Sequence, residues 1–94
     1  MMALVSTRID ADADRDTWHL ENMATAMVAL GEILAKDGYR GAPIFDGLSQ
    51  VVGLEINGPN THAEARIGDY LVEDIGIRAF TPEVYAANYT TREA

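Results

Sequence analysis

Cysteine is absent from the 94-residue sequence, so disulfide bonds, thiolate metal ligands and cysteine catalysis are excluded. The eight glycines form neither a G-x-G-x-x-G pattern nor a phosphate-binding loop. Ser6 and Ser49 lack the G-x-S-x-G context of an activated nucleophile. We therefore expect a protein that is not an enzyme and that holds no cofactor.

Long apolar runs are also missing, and no stretch approaches the roughly 20 residues that cross a bilayer. Residues 1–10 do not contain a basic segment followed by a long apolar run, which is the pattern of a secretory signal peptide. We expect a cytoplasmic chain that does not act at a membrane. Apolar residues make up 48% of the sequence and charged residues 23%, which is typical of a folded chain. The length predicts one domain, residues 1–94, with a frayed tail over residues 90–94.

Positive charge is scarce, because seven basic residues face 15 acidic ones and the net charge is −8. A phosphate backbone or an anionic membrane would repel such a chain, so direct nucleic-acid binding is not expected. The acidity serves solubility in one interpretation. In the other, an acidic face docks on a protein partner with a basic surface.

An amphipathic helix is predicted over Thr17–Asp37, with Asp16 as its N-cap and Gly38 ending it at positive φ. Apolar residues recur on one helical stripe at Leu20, Met23, Met27, Leu30 and Leu34. This stripe is the core face in one interpretation. In the other it includes part of a partner groove, because methionine adapts to varied surfaces.

The remaining segments predict short strands and one short helix. The predicted strands are residues 3–9, 50–56, 62–67, 70–74 and 77–80, with an additional short strand around Ile44 and Phe45. Thr81 and Pro82 open a short C-terminal helix that runs to Asn88. The predicted fold class is α+β, with one long amphipathic helix on a small, mostly antiparallel sheet of roughly three to five strands.

The segment Ile67–Tyr89 resembles the C-terminal part of a group of small, mostly uncharacterised bacteriophage and prophage proteins. In that group a PGDYIV strand leads to a glycine turn, an aromatic-containing strand and a helix that starts Pro-acid-apolar-aromatic. The matching positions are Gly68, Asp69, Tyr70, Gly76, Phe80, Pro82, Glu83, Val84, Tyr85 and Tyr89. The match covers about a quarter of the chain and departs from the pattern at Ile67, where the group has proline.

This resemblance implies a phage origin and supplies no catalytic residues. It leads us to expect an accessory protein in the bacterial host cell that binds and modulates a host or phage protein, such as a defence component. The alternative is a virion or assembly component that self-associates into a homo-oligomer through an exposed sheet edge.

Carboxylates crowd at the start of the predicted helix, so we expect a partner to dock at Asp12, Asp14, Asp16, Trp18 and Glu21. An exposed Trp18 would serve as the aromatic anchor, and the alternative places it in the core. The acidic residues of this segment are also spaced like the ligands of a helix-loop-helix calcium site. They occupy positions 1, 3, 5, 7 and 12 of such a loop, namely Asp10, Asp12, Asp14, Asp16 and Glu21. Arg15 stands at the position that requires glycine, so no metal is expected, and His19 and His62 are predicted to be surface residues.

Overall fold

The computed structural model describes residues 4–9 and 13–93, which form eight strands and two helices. In chain order the elements are β1 (Leu4–Arg8), β2 (Asp14–His19), α1 (Met23–Leu34), β3 (Arg40–Phe45), β4 (Val51–Gly58), β5 (Thr61–Arg66), β6 (Tyr70–Asp74), β7 (Gly76–Phe80), α2 (Pro82–Asn88) and β8 (Tyr89–Glu93).

The strands build two antiparallel sheets, one in the order β7-β6-β2-β1-β8 and the other in the order β3-β4-β5. The predicted α+β class is confirmed. The predicted single small sheet beneath one long helix is wrong, because the fold is rich in sheet and α1 has only 12 residues. Within the described ranges, neither helix is long and apolar enough to cross a bilayer.

Residues 14–19 were expected to lead into and begin the helix, but they form strand β2. This strand pairs with β1 on one side, as in Val5 opposite Asp16, and with β6 on the other, as in Trp18 opposite Leu71. Strands β1 and β6 supply hydrogen-bond partners for the backbone on both edges of β2. This pairing outweighs the local sequence pattern that favoured a helix start. Asp16 is therefore not a helix N-cap.

Helix α1 instead begins after Asn22, which forms a capping box with Thr25. The Asn22 side chain accepts from the Thr25 amide at 2.9 Å, and the Thr25 hydroxyl accepts from the Asn22 amide at 2.9 Å. These bonds satisfy two amides that the first helical turn leaves free. The helix ends at Leu34, three residues before the predicted end, and Gly38 has the expected positive φ of 87° in the following turn.

The buried side of α1 differs from the predicted stripe. It consists of Ala26, Ala29, Leu30 and Ile33, which pack on the sheets within one apolar cluster. The small side chains of Ala26 and Ala29 let the helix lie close to the strands. Of the predicted stripe only Leu30 and Leu20 are buried, and Leu20 precedes the helix.

A second apolar cluster lies on the opposite face of the five-stranded sheet, beneath α2. Tyr85 and Tyr89 are buried there against Val72. The predicted start of this helix is confirmed, since the Thr81 side chain accepts from the Val84 amide and Pro82 is the first helical residue.

The segment predicted to fray is strand β8, which pairs with β1 from Tyr89 opposite Arg8 to Glu93 opposite Leu4. Without β8, one edge of β1 would be unpaired along its whole length. The hydrogen bonds to β1 explain why residues 90–93 form a strand and do not fray. Ala94 lies outside the described residues.

Strands β4 and β5 form an antiparallel hairpin, and His62 is exposed on β5 as predicted, on the same side as the exposed Glu64 and Arg66. Strand β3 extends further than predicted. The two sheets meet where the Ile77 amide donates to the Thr61 hydroxyl at 2.8 Å.

Candidate functional site

Helix α1 leaves an apolar surface open on the side turned away from the sheets. Between Met23 and Leu34 the only charged residue is Glu32. The exposed residues of this surface, called the apolar face below, are Met23, Ala24, Met27, Val28, Gly31, Leu34 and Ala35.

The apolar face exposes large side chains. Met23 is 55% exposed, Met27 43%, Val28 43% and Leu34 46%. A Cβ added to Gly31 would meet nothing within 4 Å, so the middle of the face is open to close approach. A helix that is apolar on most of its sides is normally covered on those sides, and a contiguous exposed apolar patch marks an interaction surface.

Charged side chains follow one edge of the apolar face, where α1 meets β2 and β6. The Trp18 indole donates to Glu32 Oε2 at 3.2 Å. The Lys36 ammonium donates to Asp16 Oδ2 at 3.1 Å and to Glu73 Oε1 at 2.9 Å. We call Asp16, Glu32 and Glu73 the acidic border. Two of its carboxylates contact the Lys36 ammonium and the third accepts from Trp18, so three negative charges against one positive charge leave the border negative.

Lys36 is held firmly within the acidic border. Its hydrogen bond to Glu73 raises the pKa of the Lys36 ammonium, and the contact with Asp16 adds to this rise. Its Nζ also lies 5.8 Å from the centre of the Trp18 ring, within range of a cation–π interaction. The ammonium therefore stays charged at neutral pH and fixes Asp16 and Glu73 beside the helix.

The structure separates the residues that were predicted to form one docking site. Trp18 is only 6% exposed and belongs to the core cluster, so it is not an exposed anchor. Asp16 shares a strand face with it and belongs to the acidic border. Glu21 lies before the helix, and its carboxylate is 3.3 Å from His19 Nδ1. Asp12 lies outside the described residues.

Asp14 lines the same surface cavity as Asp16 and Glu73 of the acidic border, but its own side-chain contacts are to other strands. Its carboxylate accepts from the Thr7 hydroxyl at 2.7 Å and pairs with Arg92. The Thr7 bond is the main cause of the lowered pKa of Asp14. The Asp14 carboxylate therefore binds side chains of strands β1 and β8. Of the carboxylates that were predicted to form the docking site, only Asp16 belongs to the acidic border beside α1.

The residues suggested by the calcium offsets do not converge in the described part of the chain. Asp14 and Asp16 contact Arg92 and Lys36, while Asp10 lies outside the described residues. Across residues 4–9 and 13–93 no three His, Asp or Glu side chains are grouped as metal ligands would be.

The two histidines differ in their surroundings. His19 is half-buried and stacks on Tyr70 with ring centres 4.0 Å apart. His62 is exposed, as predicted, and its ring lies within hydrogen-bond distance of Asn57 at 2.7 Å.

No protein-family model, curated protein or solved structure matches this chain. The sequence interpretation that assigned Met23 and Met27 to a partner groove named two residues of the apolar face but missed Val28. The sequence from Met23 to Leu34 contains a single charged residue, so the apolar part of the helix surface is wider than contact with the core requires. This feature could have predicted the apolar face.

Proposed function

We propose that this chain is a non-catalytic phage or prophage accessory protein that binds and modulates a host or phage protein in the bacterial cytoplasm. The observation that carries the proposal is the apolar face of α1, whose four large side chains are each more than 40% exposed. Leaving them in water is unfavourable, and a protein partner would remove that cost. The resemblance of residues 67–89 to phage proteins supports the origin, and a defence component is one such partner.

The chemistry of the surface specifies the partner further. The apolar face and its acidic border fit an apolar groove that is flanked by lysine or arginine. The net charge of −8 would speed the encounter with such a basic surface. Four half-exposed side chains cover less than the roughly 800 Å² that each partner contributes to a standard interface. The contact must therefore extend onto the acidic border, which makes it sensitive to salt.

The test compares two substitutions that place a carboxylate on an exposed helical position. Met27→Glu puts the charge in the middle of the apolar face, and Val84→Glu puts it on α2, where Val84 is 48% exposed. Immobilised wild-type and variant chains are incubated with a bacterial lysate at several salt concentrations, and retained proteins are quantified by mass spectrometry.

We expect a partner that wild type and Val84→Glu retain and that Met27→Glu loses, with retention falling as salt increases. Partners retained equally by Met27→Glu would contradict the proposal. Sedimentation velocity of the purified chain provides the second readout. A concentration-dependent dimer that Met27→Glu abolishes would show that a second copy covers the face, which would also contradict it.

A further inference from the structure

Strand β8 forms an open edge of the five-stranded sheet. It pairs with β1 on one side, and among residues 4–9 and 13–93 no strand pairs with it on the other. The side chains of residues 90–93 are exposed. An edge of this kind presents a row of unpaired amides and carbonyls, which is a template for a further strand.

The other outer strands of the two sheets are less available. At the opposite end of the five-stranded sheet, β7 contacts β5 through the bond from the Ile77 amide to the Thr61 hydroxyl, so these two outer strands meet each other. The remaining outer strand, β3, contains Pro43, which has no amide hydrogen to donate. Strand β8 is therefore the edge best suited to accept another strand.

The ladder between β1 and β8 determines which backbone groups of β8 face outward. The Ile9 amide donates to the Asn88 carbonyl at 2.9 Å. Because hydrogen-bonded pairs alternate along an antiparallel ladder, the backbones of Thr90 and Arg92 are the next to bond to β1. The outward groups of β8 are therefore the Tyr89 carbonyl, the Thr91 amide and carbonyl, and the Glu93 amide.

These outward groups are self-complementary about a two-fold axis at Thr91. When two copies of β8 run antiparallel with Thr91 opposite Thr91, the Thr91 amide of each copy donates to the Thr91 carbonyl of the other. The Glu93 amide of each copy then reaches the Tyr89 carbonyl of the other. All the outward groups are paired, as an isologous contact between two copies requires.

The charged side chains of β8 favour this register over its neighbours. With Thr91 on the axis, Arg92 lies opposite Thr90 and Glu93 lies opposite Tyr89, so no like charges are directly opposite. A shift that places Arg92 on the axis sets two guanidinium groups against each other, which is unfavourable although each is paired with its own Asp14. A shift that places Thr90 on the axis shortens the ladder, because Arg92 then faces the end of α2.

We propose that β8 is a self-association surface, at which two copies of this chain join their five-stranded sheets through a two-fold axis at Thr91. The surface lies on a different element from the apolar face of α1 and takes a different occupant, so the two proposals stand or fall independently. The contact is smaller than a standard interface, and two chains of charge −8 repel each other. Association is therefore weak, and it strengthens as salt screens the repulsion.

The experiment is sedimentation equilibrium of the purified chain up to about 1 mM, at low and at high salt. We expect a dimer that is favoured by salt. Thr91→Pro removes the amide on the axis and should abolish this dimer, since proline is tolerated where an edge amide faces outward. Thr91→Val is the matched control, because it loses the same hydroxyl and keeps the amide, and it should dimerise like wild type. Met27→Glu should also dimerise like wild type, which separates β8 from the apolar face.

Two charge variants test the register and do not depend on the proline variant remaining folded. Thr90 is exposed and lies opposite Arg92 of the other copy in the proposed dimer. Thr90→Arg should weaken the dimer and Thr90→Glu should strengthen it, each by at least about twofold. General repulsion between acidic chains predicts the reverse order. A chain that stays monomeric up to about 1 mM would show that a second copy does not cover this edge. Equal association by Thr91→Pro and Thr91→Val, or the reverse order of the Thr90 variants, would also overturn the proposal.

Discussion

Two neighbouring residues at the end of α1 give the sharpest test of how the helix is oriented. Ile33 is fully buried in the core cluster, whereas Leu34 is 46% exposed on the apolar face. The stripe expected from the sequence places Leu34 inward instead. We therefore compare Ile33→Ala with Leu34→Ala, two aliphatic truncations made one residue apart on the same helix.

The structure predicts very different costs for the two truncations. Ile33→Ala removes three buried carbon atoms and leaves a cavity, which costs about 2–5 kcal/mol. Leu34→Ala removes atoms that are already half in water, which costs about 1 kcal/mol or less. Alanine is also a slightly better helix former than leucine, and this further lowers the second value. The predicted difference in the free energy of unfolding is therefore at least about 1–2 kcal/mol.

Urea unfolding followed by the fluorescence of the single, buried Trp18 measures both values. A slope of about 1–3 kcal/mol per molar urea makes the difference visible as a shift of the midpoint. A chain of this length has about 5–14 kcal/mol of stability, so Ile33→Val, at about 0.5–1.5 kcal/mol, replaces alanine should that variant be unfolded. Equal costs for Ile33→Ala and Leu34→Ala, or a larger cost for Leu34→Ala, would refute the orientation of α1.

Two further predictions concern the strands and the titrating side chains. Gly53→Ala would place a Cβ 2.1 Å from a carbonyl oxygen of β5, so we expect a loss of at least about 1–3 kcal/mol in the same urea assay. Gly47→Ala, which meets nothing within 4 Å, should leave the midpoint unchanged, and a loss as large as that of Gly53→Ala would contradict the reasoning. The folded-state pKa values of Lys36, Tyr70 and Tyr89 are raised, the first by its bond to a carboxylate and the tyrosines by burial. Their stabilisation is complete below the unfolded pKa values near 10 and is lost as pH rises through the folded values, so the urea midpoint should fall above about pH 10. The double variant Tyr70→Phe, Tyr89→Phe should show a shallower decline, and a constant wild-type midpoint across this range would argue against the shifts.

The parts of the fold that local chemistry determines were predictable from the sequence. Thr81 and Pro82 start α2 because the cap and the fixed φ angle act within one turn. The alternation from His62 to Arg66 marks β5 because one face is buried and the other is in water. Strand β6 was also predicted with its observed bounds.

The elements that depend on distant neighbours were not predictable in this way. Residues 14–19 form a strand because β1 and β6 lie on either side of them, and β6 begins about 50 residues later in the sequence. The positions of the two sheets determine which side of α1 is buried. Apolar periodicity carries no information about those positions, so it wrongly predicted that Met23 and Met27 face the core. For the same reason Trp18 lies beside Glu32 and Asp16 beside Lys36, and neither lies at a helix start.

The pairing of β1 with β8 has a consequence for how the chain folds. The three-stranded sheet joins consecutive segments through short turns, so its hairpins close over short stretches of chain. The five-stranded sheet brings Leu4 opposite Glu93, which requires closing nearly the whole sequence into a loop. Loop closure of that size is entropically unfavourable until other contacts have formed, and non-local pairing slows folding. The β3-β4-β5 sheet is therefore expected to order early and the β1–β8 ladder last.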